Sequence, residues 1–145
     1  MTDSTETLDP AAKIKAELAA FRAQREAKTA PAREASELER LRIELADEIA
    51  IAKAEDDHGA ENIRAVRSAS GVIIVKRANH LLYKRHLDRG KFGTKELEEL
   101  IAPNLVHPDA DAFDKYVAKE PWKLQAAAGA IGVLAGFAND DLAGK

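Results

Sequence analysis

The stretch GVIIVKRANHLLYKRHLDRGKF, residues 71–92, joins an apolar run to a segment rich in Lys, Arg and His. The consecutive β-branched residues at positions 72–75 are typical of a buried strand. Asn79 is a preferred residue for capping a helix N-terminus, and Gly90 readily adopts the left-handed conformation that follows many helices. The stretch therefore predicts a strand followed by a helix from Asn79 to Asp88.

The residues just before this stretch predict the partner strand. Apolar and polar side chains alternate in NIRAVR, and the turn-like SASG, Ser68 to Gly71, separates them from the apolar run. Alternation around a short turn is the pattern of a hairpin. We predict a β-hairpin with strands at roughly residues 62–67 and 72–77.

Three further helices are predicted after this hairpin and helix. Thr94 can cap one that continues through Ala102, Pro108 with Asp109 can open the next, and Pro121 can open the last. In the last helix, small residues recur four apart at Ala128, Gly132 and Gly136, which lets another backbone approach closely. Two interpretations stay open for this helix: the centre of the core, or a groove for a partner or for self-association.

The N-terminal third predicts two helices separated by a proline. Asp9 can cap a helix beginning at Pro10, and its apolar positions recur at helical spacing: Ile14, Leu18 and Phe21. Pro31 predicts a break, because proline disfavours helix in the residue before it. A longer helix then covers residues 32–57.

The longer helix carries an apolar stripe with charged residues on its other faces. The stripe consists of Leu38, Leu41, Leu45, Ile49 and Ala52. Ile43 and Ile51 lie off the stripe, which indicates contacts on more than one side. Such a helix needs a partner, so Leu38, Leu41, Leu45 and Ile49 are candidate partner-binding residues.

Together these elements predict a mainly α (α+β) fold: a helical domain with one small β-hairpin and an extended N-terminal helical arm. We predict disorder for residues 1–8, the arm at 9–55, a small α+β domain at 56–138 and a flexible tail at 139–145. A chain of 145 residues suits one modest globular domain with an extension.

Composition limits the classes of function. The net charge of −3 gives no global attraction to phosphate backbones. The chain has no cysteine, which excludes disulfide frameworks, thiolate zinc sites and thiol nucleophiles and fits a reducing cytoplasm.

The first ten residues, MTDSTETLDP, lack the basic and apolar regions of a secretory signal. The small or apolar run at 126–138 is shorter than the roughly 20 residues that cross a bilayer, so we expect no membrane partner.

The basic segment at residues 76–91 has two interpretations. Its cations stand against Asp88 alone: Lys76, Arg77, Lys84, Arg85, Arg89 and Lys91. A nucleic-acid interface could use them with Tyr83, but no RNA-binding or zinc-finger signature accompanies them, and the following TKELEELIA is acidic where a recognition helix is basic. The favoured interpretation is a solvated helix face, with Leu82, Tyr83 and Leu87 toward the core. Its candidate residues for contacts with a protein partner are Lys84, Arg85 and Arg89.

No residue pattern indicates catalysis or metal binding. His80 and His86 are six residues apart and do not share a helix face, as a metal-binding pair would. Asp109, Asp111 and Glu120 match three positions of a calcium loop, but Asp114 stands where that loop needs glycine. The sequence has no G-x-S-x-G motif and no glycine-rich phosphate loop. We expect no enzyme, no catalytic residue, no cofactor and no metal.

Several short motifs occur in a characteristic order over roughly residues 55–137. They are the GVIIVKR strand, the NHLLYKRH helix, LVHPD, the FDKY helix, Pro121 and a closing LAG at residues 134–136. In this order the chain resembles small phage tail assembly chaperones, although Ala78 stands where that family often has proline. The resemblance implies a non-enzymatic protein of the bacterial host cytoplasm that holds the helical tape-measure protein until tail proteins polymerise around it.

The expected partner is thus a tape-measure or other tail protein, with self-association as a further option and no nucleic acid. Trp122 and Phe137, in the last helix, complete the candidate partner-binding residues. The alternative is a virion or nucleoprotein component that binds nucleic acid through the patch at 76–91.

Overall fold

The structure, a computed structural model, describes residues 9–136. The predictions for residues 1–8 and 139–145 lie outside this range. The described part is mainly helical with a small antiparallel sheet, which confirms the mainly α (α+β) class. In chain order its elements are α1 (Pro10–His58), a 3-10 turn (Ala60–Asn62), β1 (Ile63–Val66), β2 (Ile73–Lys76), α2 (His80–Arg89), α3 (Thr94–Ile101), a second 3-10 turn (Ala102–Asn104), β3 (Leu105–His107), α4 (Ala110–Lys119) and α5 (Trp122–Leu134).

Helix α1 is continuous through Pro31, so the predicted break there is wrong. Proline removes one backbone hydrogen bond, but the residues around it are alanines and charged residues with high helix propensity. Arg33 also pairs with Glu26 across the proline. Local propensity, with this ion pair, is consistent with the intact helix.

The chain divides into two compact units, one ending at Leu41 and one beginning at Arg42. In the described part of the first unit every residue is exposed except the half-buried Ala30. The second unit includes the last turns of α1, where Asp47 and Ala54 are buried. The sequence prediction had assigned these turns to the arm at residues 9–55.

The sheet of the second unit has the order β1-β2-β3 with antiparallel neighbours. The predicted hairpin is present, with Ile63 opposite Lys76 and Val66 opposite Ile73. Strand β3 was not predicted, because three residues are too few to show an alternating pattern. It adds to the open edge of β2, which becomes the central strand.

Strand β2 is buried on both faces, which explains its unbroken apolar run. Ile73 and Val75 pack with α3, α4 and α5, whereas Val72 and Ile74 pack with Ala54 of α1. Asp47 fixes α1 to the hairpin, because its Oδ1 accepts a hydrogen bond from the backbone N–H of Val72 at 2.8 Å.

Helix α5 forms the centre of the larger core. Its buried residues are Lys123, Leu124, Ala127, Ala128, Ala130, Ile131 and Gly132. The small side chains let α5 lie close to the sheet and to α3. Of the two interpretations of its small-residue spacing, the core is therefore the correct one for Ala128 and Gly132.

Candidate partner-binding surfaces

Helix α2 is fixed at both ends as its sequence predicts. The Asn79 side chain accepts hydrogen bonds from the backbone N–H groups of Leu81, at 2.9 Å, and of Leu82, at 3.4 Å. Gly90 has a φ of 64° and its N–H donates to the carbonyl of Leu87. These caps fix the first and last residues of α2.

The buried side of α2 is not the predicted one. His86 is only 9% exposed, and its ring lies 5.3 Å from that of Phe92 and 6.0 Å from that of Tyr83. Leu82 and Leu87 are exposed, so their predicted core positions are wrong, while Tyr83 is half-buried and contacts the core. Tyr83 and His86 are three residues apart on the inward line of the helix, and the two leucines lie on either side of it.

Large apolar side chains remain on the outside of this region. Leu81 is 62% exposed, Leu82 48%, Leu87 40% and Phe92 55%. We call these four residues, with Lys84 and Arg85, the α2 surface. Leu81 and Phe92 were not predicted; the adjacent pair Leu81-Leu82 was the available signal, since neighbouring residues on a helix cannot share one narrow buried stripe.

The basic segment is partly engaged by the chain itself. Arg77 donates to the carbonyls of Leu134 and Glu61, and Arg89 forms an ion pair with Glu99 of α3. Lys84 and Arg85 are exposed. Of the three predicted basic candidates, Lys84 and Arg85 belong to the outward face, whereas Arg89 links α2 to α3.

A shallow cleft of about 160 Å³ separates α2 from α3. Leu82 and Leu100 contribute its apolar wall, and Arg85, Arg89 and Glu96 line its rim. The cleft adjoins the α2 surface, so an apolar side chain of a partner could enter it while charged neighbours meet the rim.

The charges around this cleft shift the protonation of its residues. Burial lowers the pKa of His86, and the nearby positive charge of Arg89 lowers it further, while Glu96 acts in the opposite direction. The hydrogen bond from Arg89 lowers the pKa of Glu99. His86 is therefore biased toward its neutral form.

The α1 candidates are all exposed: Leu38 50%, Leu41 48%, Leu45 64% and Ile49 61%. Trp122, 47% exposed, donates from its indole N–H to Glu120 at 2.8 Å. Phe137 lies outside the described residues. The exposed residues are thus distributed over α1, α2 and the start of α5.

Residues 9–136 contain no group of three or more His, Asp or Glu side chains arranged to hold a metal ion. Over the same range, no helix combines the length and the apolar character needed to cross a membrane. Comparison of the chain with protein-family models, with curated proteins and with solved structures finds no match.

Proposed function

We propose that the protein is a non-enzymatic assembly chaperone that binds an amphipathic helix of another protein on the α2 surface. The observation that carries this proposal is the exposure of Leu81, Leu82, Leu87 and Phe92 on a region capped at both ends. Leu82 lines the cleft beside α3, and Leu87 lines a second cleft with Tyr83 and Lys84. Exposed apolar residues that adjoin clefts with charged rims are features of a helix-binding surface.

The charges specify the partner's chemistry. Lys84 and Arg85 lie among the exposed apolar residues, so the matching helix has an apolar stripe flanked by Asp or Glu. Burial of the stripe supplies the main driving force for binding, because removing apolar surface from water is favourable. The charge pairs at the rim add orientation and speed of association.

The resemblance to phage tail assembly chaperones supports a more specific version of this function. In that version the partner is the tape-measure protein, a long helical protein that needs its apolar stripes covered before the tail polymerises. The work would be done in the cytoplasm of the infected bacterium.

A nucleic-acid partner is the alternative, carried by the exposed Lys84 and Arg85. Against it, Arg77 and Arg89 are already engaged within the chain, and the net charge is −3. Phosphate binding would weaken steeply with salt, in proportion to the number of contacts.

The test begins with the genes next to this one, where the proposal expects a tape-measure gene. Helical segments of the protein it encodes are titrated by calorimetry with the wild type and with a Leu82→Glu, Leu87→Glu double variant. We expect at least about tenfold weaker binding by the variant, the loss typical of a central interface residue.

The matched control is Ala110→Glu with Ala118→Glu, which adds the same charge at exposed positions of α4. It should bind like the wild type. Absence of binding, or equal binding by both variants, would contradict the proposal. Binding of labelled DNA or RNA that persists at physiological salt and is lost in a Lys84→Glu, Arg85→Glu variant would favour the alternative.

A further inference from the structure

The exposed part of α1 leaves large apolar side chains without contacts in the folded unit. Between Pro10 and Ala46, the residues of this helix are exposed except for the half-buried Ala30 and Ile43. Helices in proteins owe most of their stability to tertiary packing rather than to intrinsic propensity. Large apolar side chains nevertheless lie in the open: Ile14, Leu18, Phe21, Leu38, Leu41 and Leu45.

We propose that α1 pairs with α1 of a second copy of this chain in an antiparallel coiled coil. The proposal is independent of the partner helix bound by the α2 surface. It rests on the heptad spacing of apolar residues, on the side of α1 that the folded unit covers, and on the distribution of charge along the helix.

Most of the large apolar residues follow a seven-residue repeat with positions a to g, and Leu18 and Leu41 occupy the flanking positions e and g. Position a holds Ile14, Phe21, Ala35 and Ile49, and position d holds Leu38, Leu45 and Ala52. The remaining seam positions within the helix are polar or proline: Pro10, Glu17, Gln24, Lys28, Pro31, Arg42 and Asp56. Apolar a and d positions form the seam of a coiled coil.

A seven-residue repeat favours a supercoil. In a straight helix the seam drifts by about 20° per heptad. Ile14 and Ile49 are five heptads apart, so they share one face only if the helix winds around a partner. This explains why the residues near Ile14 and those near Leu38 form separate stripes on a straight helix.

Within residues 42–58, the rest of the second unit covers the side of α1 opposite this seam. Asp47 and Ala54, which are buried, occupy position f of the same repeat. Ala50 and Ile51, at the adjacent positions b and c, pack against the sheet. In residues 42–58 the seam therefore faces away from the core, in agreement with the 61% exposure of Ile49.

The charge distribution selects the antiparallel orientation. Residues 10–29 carry five basic and two acidic side chains, a net charge of +3, and residues 30–49 carry three basic and six acidic ones, a net charge of −3. A parallel pair would place two halves of the same net charge side by side. An antiparallel pair places each half against its complement.

One register pairs the large apolar seam residues and also places the oppositely charged halves against each other. With the twofold axis between Thr29 and Ala30, Ile14 lies opposite Leu45 of the second copy and Phe21 opposite Leu38. Each contact occurs twice, as twofold symmetry requires. The overlap covers residues 10–49, about 60 Å of helix at 1.5 Å per residue.

Light scattering after size exclusion tests the pairing. We expect a particle of twice 15.7 kDa for the wild type and a monomer for Phe21→Glu with Leu38→Glu. The control, Ala16→Glu with Ser36→Glu, adds the same charge at exposed positions c and b and should remain a dimer. A monomeric wild type, or equal effects of the two double variants, would overturn the proposal.

Electron spin resonance distances test the orientation without disturbing the seam. The chain has no cysteine, so Ala16→Cys accepts a single spin label. The antiparallel register separates the two labels by about 40 Å along the axis. A parallel pair would bring them within about 20 Å, given helix axes some 10 Å apart, and that result would overturn the proposal.

Discussion

Helices α1 and α5 use apolar residues in opposite ways. After Trp122 and Lys123, α5 consists of small and medium residues on every side, and seven of its thirteen residues are buried. α1 carries larger side chains such as Phe21 and Leu45, yet these are more than half exposed. A helix packs in the core when several of its faces can approach other elements closely. An isolated stripe of large apolar residues on a charged helix instead stays available to a second molecule.

We expect the largest loss of stability when side-chain volume is removed from α5. Ile131 is fully buried, so Ile131→Ala leaves a cavity and should lower the free energy of unfolding by about 2–5 kcal/mol. Leu18→Ala, at 43% exposure, should change it by less than about 0.5 kcal/mol in dilute solution. Urea unfolding followed by the fluorescence of Trp122 measures both, and equal losses would contradict the distinction.

The junction between α1 and the hairpin should show the next largest effect. Asp47→Ala removes the acceptor of the buried Val72 N–H and should cost about 1–3 kcal/mol. Glu48 is the control, because its ion pair with Arg67 joins side chains that are each 62% exposed. Glu48→Ala should cost less than about 0.5 kcal/mol. If both variants unfold at the same urea concentration, α1 does not depend on this contact.

Lys123 is a buried charged residue within the otherwise apolar buried face of α5. Its side chain is fully buried, and its Nζ lies 3.4 Å from Glu120 Oε1 and 5.2 Å from the centre of the Tyr116 ring. Among residues 9–136 this Nζ has no hydrogen-bond partner, since its contact with Glu120 lacks suitable geometry. Lys123→Met should therefore raise the free energy of unfolding by about 1 kcal/mol, because desolvating the amine is incompletely offset. A loss in urea denaturation would show that the ion pair is stabilising.

His86 makes the stability of the folded chain depend on pH. Burial and Arg89 lower its pKa in the folded state below the ordinary value of 6.5, so the unfolded chain binds the proton more readily. The free energy of unfolding is therefore not reduced by this histidine above about pH 6.5. It decreases as the pH falls from that value toward the folded-state pKa. Urea midpoints near pH 7.5 and 5.5 should differ less in His86→Phe than in the wild type. A control, His80→Gln at an exposed position, should keep the wild-type difference; the same reduction in both variants would contradict this role for His86.

The predictable parts of the fold are those in which local sequence and packing agree. The apolar run at Val72 to Val75 and the cap at Asn79 gave the central strand and α2 at nearly the observed bounds. The small residues of α5 indicated close packing, which the structure confirms. In each case one short segment contains the information that determines its own structure.

The remaining features depend on contacts that no single segment reveals. Pro31 lies within an intact helix, which is consistent with the helix propensity of its neighbours and with the Arg33–Glu26 pair. β3 forms because β2 offers it an edge. On α2, His86 is buried with its ring near those of Tyr83 and Phe92, whereas Leu82 is exposed. The exposed candidates on α1 could be identified from spacing alone. The pair Leu81-Leu82 offered a signal that was not used, whereas Phe92 required the structure.

Hydrogen exchange of the intact protein, measured at dilute and at high concentration, tests most directly whether the uncovered apolar face of α1 is an interface. Amides of α5 should be protected at both concentrations, because they lie within one chain's core. Amides of residues 10–41 should exchange rapidly in dilute solution and slowly once a second copy covers them. Exchange in residues 10–41 that is rapid at both concentrations would contradict this account.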